Sequence, residues 1–447
     1  DESKMSEITA NLDYMHNVNR SSNPLDNYYL LPSPALAWLG YSIDSANRTS
    51  LYSDNIFDVY SVKADWQGIV MKMFMMEAGA KWALSKTANQ MEHTVQSLFP
   101  AAGPASTFTD FDYTEHIGAL YATYSTRLNQ FTFKAGLRYE YTSQEVTYRK
   151  GQGEDFSLSY DNLVPNLTLS FAPTMTQNLT LGYNMRISRP GISVLNPYRN
   201  TQNVTSVSFG NPNLEVEKVH NAQFTYNYYS PKLMLNATLR YSYLDNGIEQ
   251  YSYFDDNVLY STYGNIGRRQ STSLSLFAST SLTSSTRLTL NSTTSYLDLS
   301  ANGMNLSNNG WQQTLMANVQ QTLPWNMKLS LMYMVNTPSG TLQGRNSGMN
   351  IHSLGLTKTA LNDRLTFSIN AVNPFRSSMS MTTTTHGEDY TSEQTSHISM
   401  ASVIGTVSYR FGDLKLKQPQ RRTSQLESDV LEVKDSSDQM NSVFMNQ

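Results

Sequence analysis

Residue types able to do chemistry are sparse in this chain of 447 residues. It contains no cysteine, which excludes thiolate nucleophiles, zinc ribbons and a disulfide framework. Its 7 histidines, at positions 16, 93, 116, 220, 352, 386 and 397, show no H-E-x-x-H spacing and no pairing on one helix face, so no metal site is expected. Glu115 stands beside His116 in "EHIGALY", but neighbours in a strand point to opposite faces and cannot bind one ion together. The stretch "HGEDYTSE" gathers His386, Glu388 and Asp389, the only candidates for hydrolytic acid–base work, and a solvated loop explains them more economically. "GNPNL" lacks the spaced glycines and the lysine of a phosphate-cradling loop and reads as a turn. The expectation is therefore no catalytic residue, no metal, no cofactor and no enzymatic activity.

What remains is a set of charges, Lys134, Arg138, Glu140, Arg186 and Arg240, whose meaning depends on the elements that carry them. In "NLTLGYNMRISRPG", Leu179, Leu181, Tyr183, Met185 and Ile187 alternate with Asn178, Thr180, Gly182, Asn184, Arg186 and Ser188. Phe131 to Thr142 and Leu233 to Tyr243 repeat the pattern, with Met234 the one apolar intruder, and further copies run through to Phe411. A period of two means strands, roughly seventeen of them, with the register around Ile117 and from Arg269 to Ser300 undecided. Short turns such as "TRLNQ", "YSPK" and "LNDR" alternate with longer polar stretches, among them Asn19 to Asn55, Ser85 to Asp110, Ser143 to Asp161 and Ser188 to Lys218. Pro190 and Gly191 should stop one ladder.

Composition says which solvent each face meets. Only 15% of residues are charged, against about 25% in soluble domains, and 28 are tyrosine. A net charge of −4 with scattered Lys and Arg excludes a nucleic-acid partner. No apolar run is long enough for a membrane helix, and mean hydropathy is −0.43, but a membrane strand hides its signal in alternate positions. Lys134, Arg138, Glu140, Arg186 and Arg240 all fall on the polar face, as do Lys63, Lys81, Arg287, Lys328 and Arg410; Lys358, near a turn, departs from this. An Arg or Lys facing lipid at mid-bilayer costs roughly 2–4 kcal/mol, so a membrane enforces such sorting. A soluble sandwich also alternates, but the strand number, the alternating loop lengths and a tyrosine-rich apolar face favour a barrel. A propeller lacks its blade signature here. The fold expected is all-β, a transmembrane antiparallel barrel over residues 1–411, followed by a flexible polar tail over 412–447.

"GLRYEYT", "RISRPGI", "NPY", "GNPNL" followed by "EK", and the closing "VSYRFG" resemble the outer membrane protein beta-barrel family of Bacteroidetes, related to TonB-dependent receptors. That resemblance implies the bacterial outer membrane, a barrel of about 22 strands in the full protein, an N-terminal plug, and uptake of an unknown solute driven by the TonB system. It implies as partners the outer-membrane lipid, the plug and the barrel-assembly machinery, with Phe411 as the terminal aromatic that machinery reads. Lys134, Arg138, Glu140, Arg186 and Arg240 become a lumen-facing charged wall against plug or solute, paired across neighbouring strands. The sequence shows no plug and no TonB-contacting segment, so it reads as the C-terminal part of a longer protein whose incomplete barrel leaves two unpaired edges. A structural or assembly barrel that anchors partners without active transport is the alternative.

Overall fold

Segments that alternate apolar with neutral polar side chains, rich in Thr, Tyr and Val, satisfy their backbone groups only by pairing with one another. The computed structural model describes residues 6–32, 41–70, 74–99, 103–151, 153–203, 206–256, 258–387, 390–412 and 430–431. In chain order the elements are β1 (Ser6–Pro32), β2 (Tyr41–Val70), β3 (Phe74–Phe99), β4 (Ala105–Leu128), β5 (Phe131–Lys150), β6 (Phe156–Thr174) and β7 (Gln177–Pro190). There follow α1 (Ile192–Leu195), β8 (Asn200–Asn203), β9 (Ser206–Ser208), β10 (Glu217–Tyr229), β11 (Leu233–Asp255), β12 (Val258–Ser281), β13 (Thr286–Ala301), β14 (Ser307–Leu323) and β15 (Met327–Asn336). The last are β16 (Ser339–Thr341), β17 (Gly344–Asn346), β18 (Met349–Ala360), β19 (Leu365–Val372), β20 (Ser378–His386), β21 (Thr391–Ser399) and β22 (Ser402–Tyr409).

The wall is one antiparallel succession, β1 to β7, then β10 to β15, then β18, β19 and β22. It belongs to a 19-stranded sheet, in which β8, β9 and the pair Val430–Leu431 are short, so 16 long strands stand against the roughly seventeen expected. Among the described residues no ladder joins β1 to β22, which are the two edges of the wall.

Short turns gather at one rim. Several hold non-glycine residues at left-handed φ: Asn129 at 54°, Trp325 at 62°, Asn326 at 55°, and Leu361, Asn362 and Asp363 at 55°, 54° and 62°. Asn and Asp tolerate that region because their short side chains hydrogen-bond locally. The other rim carries the long connections and, from two of them, a separate 4-stranded sheet of β16, β17, β20 and β21.

The apolar face of the wall is its exposed face. Leu181 is 56%, Leu239 51% and Phe367 45% exposed, whereas a sandwich would bury them. Their polar neighbours turn the other way, and Thr142 and Gln144 are fully buried. The undecided register at Ile117 resolves with Ile117 buried inward and His116 and Leu120 exposed outward.

Two expectations about the long stretches need correction. Asn19 to Asn55, Ser85 to Asp110 and Ser143 to Asp161 are mostly not loops, because the ladders run on through them: Asn19 pairs with Asn55, Ser85 with Glu115 and Ser143 with Ser159. Beyond the bilayer both faces of a hairpin meet water, so the apolar alternation fades although the hydrogen bonding continues. Polar pairs take over there, with Arg20 Nε donating to Asp54 at 3.0 Å and Arg48 Nε to Asp26 at 2.7 Å. The second correction concerns the inner face, which turns apolar in its outer half at Phe111, Tyr113, Ile117, Val146, Leu297 and Leu299. Connections fold onto it there and replace water. The tail expected over 412–447 lies outside the described residues except at 412 and 430–431, as does 33–40 of the aromatic first connection.

Candidate functional site

The connection from β7 to β10 is long, as expected, but it enters the barrel. Proline removes a ladder donor and fixes φ, so β7 ends at Pro190 and the chain turns inward. Val194 and Leu195 on α1 pack with Leu214 against Phe156, Leu158, Ile248 and Tyr263. Ile192 reaches the neighbouring cluster of Phe111, Tyr113 and Val146. Each buried leucine contributes about 1.5–3 kcal/mol, enough to hold a strap of this size in place.

"GNPNL" closes the strap on itself, and it is the turn expected. The Gly210 amide donates to Asn196 O at 2.8 Å and the Asn211 amide to Val194 O at 2.7 Å. A Cβ at Gly210 would sit 2.5 Å from Asn196 O, so only glycine allows this approach. The Asn211 side chain accepts from the Asn213 amide at 2.9 Å and donates to Tyr263 O at 2.9 Å, tying the turn to β12.

A polar clasp fastens the other end. Arg189, 2% exposed, donates through Nη2 to Glu140 and through Nε to Thr142 Oγ1 at 3.0 Å. Arg138 donates to the other oxygen of the same carboxylate. Two residues beyond Thr142 on the same strand, Gln144 Nε2 donates to Tyr113 Oη at 2.9 Å, to Glu115 Oε1 at 2.7 Å and to Pro190 O at 3.2 Å. A carboxylate out of water is stable only when such donors surround it, and here two guanidinium groups do so.

A second connection covers the lumen beside the strap. Leu342, between β16 and β17, is buried on Leu297, Leu299 and Ala301 of β13. Gln343 and Tyr390 grip β11, the Ser252 amide donating to Gln343 Oε1 at 3.2 Å and Tyr390 Oη to Ser252 O at 3.3 Å. Near that rim Glu249 is half-buried; burial raises its pKa above the usual 4.5 and Glu217 adds to the rise, while Arg269 opposes it.

The charged residues singled out in sequence share the polar face but not one cluster. Lys134 lies 3.7 Å from Glu77, and Arg138 stacks over Tyr121 at 5.3 Å as well as pairing with Glu140. Arg240 donates to Gln223 Oε1 at 3.2 Å, and Arg186 is exposed with no ion pair among the described residues. Pairing across neighbouring strands therefore does not hold for all of them. Both Arg186 and Arg240 are exposed. Arg189 was not singled out, although it is the most buried arginine among the described residues and the centre of the clasp. The available signal was a second Arg three residues after Arg186, directly before the Pro-Gly that breaks the strand.

Glu115 and His116 do point apart, one into the clasp and the other outward beside Trp82. The His386 ring lies 3.2 Å from Thr391 Oγ1 of its own hairpin and its amide donates to Gln343 O at 2.6 Å, while Glu388 and Asp389 lie outside the described residues. Among the described residues no three His, Asp or Glu side chains are placed to hold a metal ion. Phe411 follows β22 at the short-turn rim, 81% exposed, with its ring edge on Tyr409 at 4.6 Å.

Comparison with known proteins agrees with this architecture. No curated protein matches the chain by sequence. Three solved structures share its fold: the ferric yersiniabactin uptake receptor FyuA of Yersinia pestis, the copper transporter OprC and the ferric-catecholate import receptor Fiu of E. coli K12. FyuA is 12% identical with a TM-score of 0.53, covering 91% of this chain and 71% of its own. OprC is 11% identical with a TM-score of 0.60, covering 89% and 62%. Fiu is 11% identical with a TM-score of 0.62, covering 92% and 62%, so this chain spans less than two thirds of the last two. Together with an exposed apolar wall and a strapped lumen, a match to the family description over residues 2–409 closes the question of kind: the chain belongs to the outer membrane protein beta-barrel family.

Proposed function

We propose that this chain is the greater part of the barrel of a TonB-dependent-receptor-like protein, which binds a solute at its outer face and imports it with an N-terminal plug. The observation that carries this reading is the strap. An open pore would keep a hydrated lumen, whereas Arg189, Leu195 and Leu214 are buried inside this one. A lumen so obstructed conducts only when something moves it, which is the behaviour of an energised receptor. The two unjoined edges, β1 and β22, fit a wall completed by further strands. β1 rises from the short-turn rim and β22 descends to it, so an even number of strands closes the gap in antiparallel order.

Residues 1–411 form the barrel portion, residues 412–447 a periplasmic extension, and Phe411 the aromatic presented for assembly. The charged wall of Lys134, Arg138, Glu140, Arg186 and Arg240 faces plug or solute. Deleting the complete gene and scoring growth on a panel of scarce nutrients, with and without an intact TonB system, tests the reading. Loss of growth on the same nutrient when either the gene or the TonB system is removed, with no further loss when both are, supports it. A deletion without any uptake phenotype, together with loss of partner proteins from the outer membrane, supports the anchoring barrel instead.

A further inference from the structure

Above Asn166 the wall comes apart on one side of β6. The β5–β6 ladder continues to the pair Val146 and Phe156, but the β6–β7 ladder stops at Asn166 and Asn184, while β7 stays paired with β10 as far as Ser188 and Glu217. A cleft of about 740 Å³ opens there between β6 and the segment that leads from the strap into β10 and β11. Ser159 and Asp161 line it from the outer face of β6, and Leu158, Tyr160 and Asn162 from the inner face. Both faces of one strand reach the same cavity only where the wall is interrupted.

We propose that this cleft is a saccharide-binding site, an inference independent of the transport reading. Asn162 is 3% exposed, lines the cleft, and has no hydrogen-bond partner on either side-chain amide atom among the described residues. A buried amide left so is destabilising, and a ligand able both to accept and to donate removes that penalty. Adjacent hydroxyl groups do both.

The remaining lining narrows the choice. Asp161, Glu215 and Asp245 against Lys218 and His220 disfavour an anion, and among the described residues no three His, Asp or Glu side chains are placed for a metal cation. Asn213 and Asn246 add further amides, Asn246 donating to Glu215 Oε2 at 3.1 Å, and Tyr243 offers a ring for the apolar face of a sugar. An extended peptide could pair with the free edge of β6, but ladder bonds would leave the Asn162 side chain as it is. Asn162 lies twelve residues above Thr174, the end of β6 at the short turn, just past the roughly nine to eleven residues with which a tilted strand crosses the bilayer, at the outer headgroups. Saccharide is available there both on membrane glycolipid and free in the medium.

Calorimetry on the full chain in detergent micelles tests this, with free oligosaccharides of neutral hexoses and of hexosamines, intact outer-membrane glycolipid, and the same glycolipid stripped of its acyl chains. The expected result is binding of at least one saccharide, weakened tenfold or more by Asn162→Leu and severalfold by Asp161→Asn, with heat-modifiable gel mobility retained in both variants. Equal binding of intact and stripped glycolipid identifies the membrane as the source; binding of the free oligosaccharides alone identifies the medium. No saccharide binding, binding of glycolipid only with its acyl chains, affinity unchanged in both variants, or preferential capture of an extended peptide overturns the proposal.

Discussion

Arg189 and Glu140 form a buried ion pair between the end of β7 and the middle of β5, two strands away in the wall. The pair sits where the chain leaves the sheet, so it holds the strap at its root. Removing one partner of a buried pair leaves an unpaired charge, costing about 3–5 kcal/mol. Arg189→Met is therefore expected to loosen the strap without dissolving the barrel. The chain has no cysteine, so a single Cys replacing Asn196 reports on it cleanly. Thiol labelling at that position should accelerate at least tenfold in the Arg189→Met background; an unchanged rate would mean that the apolar cluster alone fixes the strap.

Membrane contact is tested by moving a charge between faces. Leu239 faces outward near mid-bilayer and its neighbour Arg240 faces inward. Leu239→Arg is expected to lower refolding stability in lipid vesicles by about 2–4 kcal/mol, and Arg240→Leu by under about 1 kcal/mol. Equal costs at the two positions would contradict the assigned faces.

Gly79 lies beneath the ring of Tyr121, and a Cβ there would come within 2.6 Å of it. That ring in turn donates its hydroxyl to Asp65 at 2.5 Å. Gly79→Val should displace Tyr121 and cost about 1–3 kcal/mol, as overpacking of a filled site does. Gly118, with open space around its Cβ position, should accept Ala without loss. Denaturant midpoints of the two variants in the same lipid make the comparison.

Near the outer rim, Glu249 gives a pH dependence of definite sign. Its folded pKa lies above 4.5, mainly through burial and then through the charge of Glu217. The stability it contributes is therefore complete below about pH 4.5 and is lost as pH rises through the folded value. Glu249→Gln removes that loss. Hydrogen exchange of the Leu244 to Phe254 amides should quicken from pH 5 to pH 8 in the wild type, after correction for intrinsic rates, and quicken less in the variant, where the raised pKa of half-buried Glu217, which accepts from the Ile248 amide, leaves a remainder of the same sign.

The wall was legible where the face toward hydrocarbon is uniformly apolar, as at Leu179 to Ile187, because the bilayer imposes a strict period of two on those positions; from Arg269 to Ser300, where Ser and Thr fall on both faces of β12 and β13, the register was not. It was not legible at Ile117, where the inward face also carries apolar side chains and the two registers look alike. Nor was the length of β1 and β2 legible around Asn19 and Asn55, since a hairpin wet on both faces has the composition of a loop. The candidate site was hidden for a related reason. Arg186 followed the alternation and drew notice; Arg189 broke it, yet the break marks the point where the strand departs from the wall.

The paired ladder of β1 and β2 continues well past the bilayer. At about 3.3 Å per residue and a strand tilt near 40°, some seventeen residues beyond the membrane band lift its upper part roughly 40 Å above the lipid. A floppy loop would absorb a push or pull at that height. Hydrogen-bonded all the way down, this hairpin is a stiff mast, and force applied high on it reaches the embedded staves without slack.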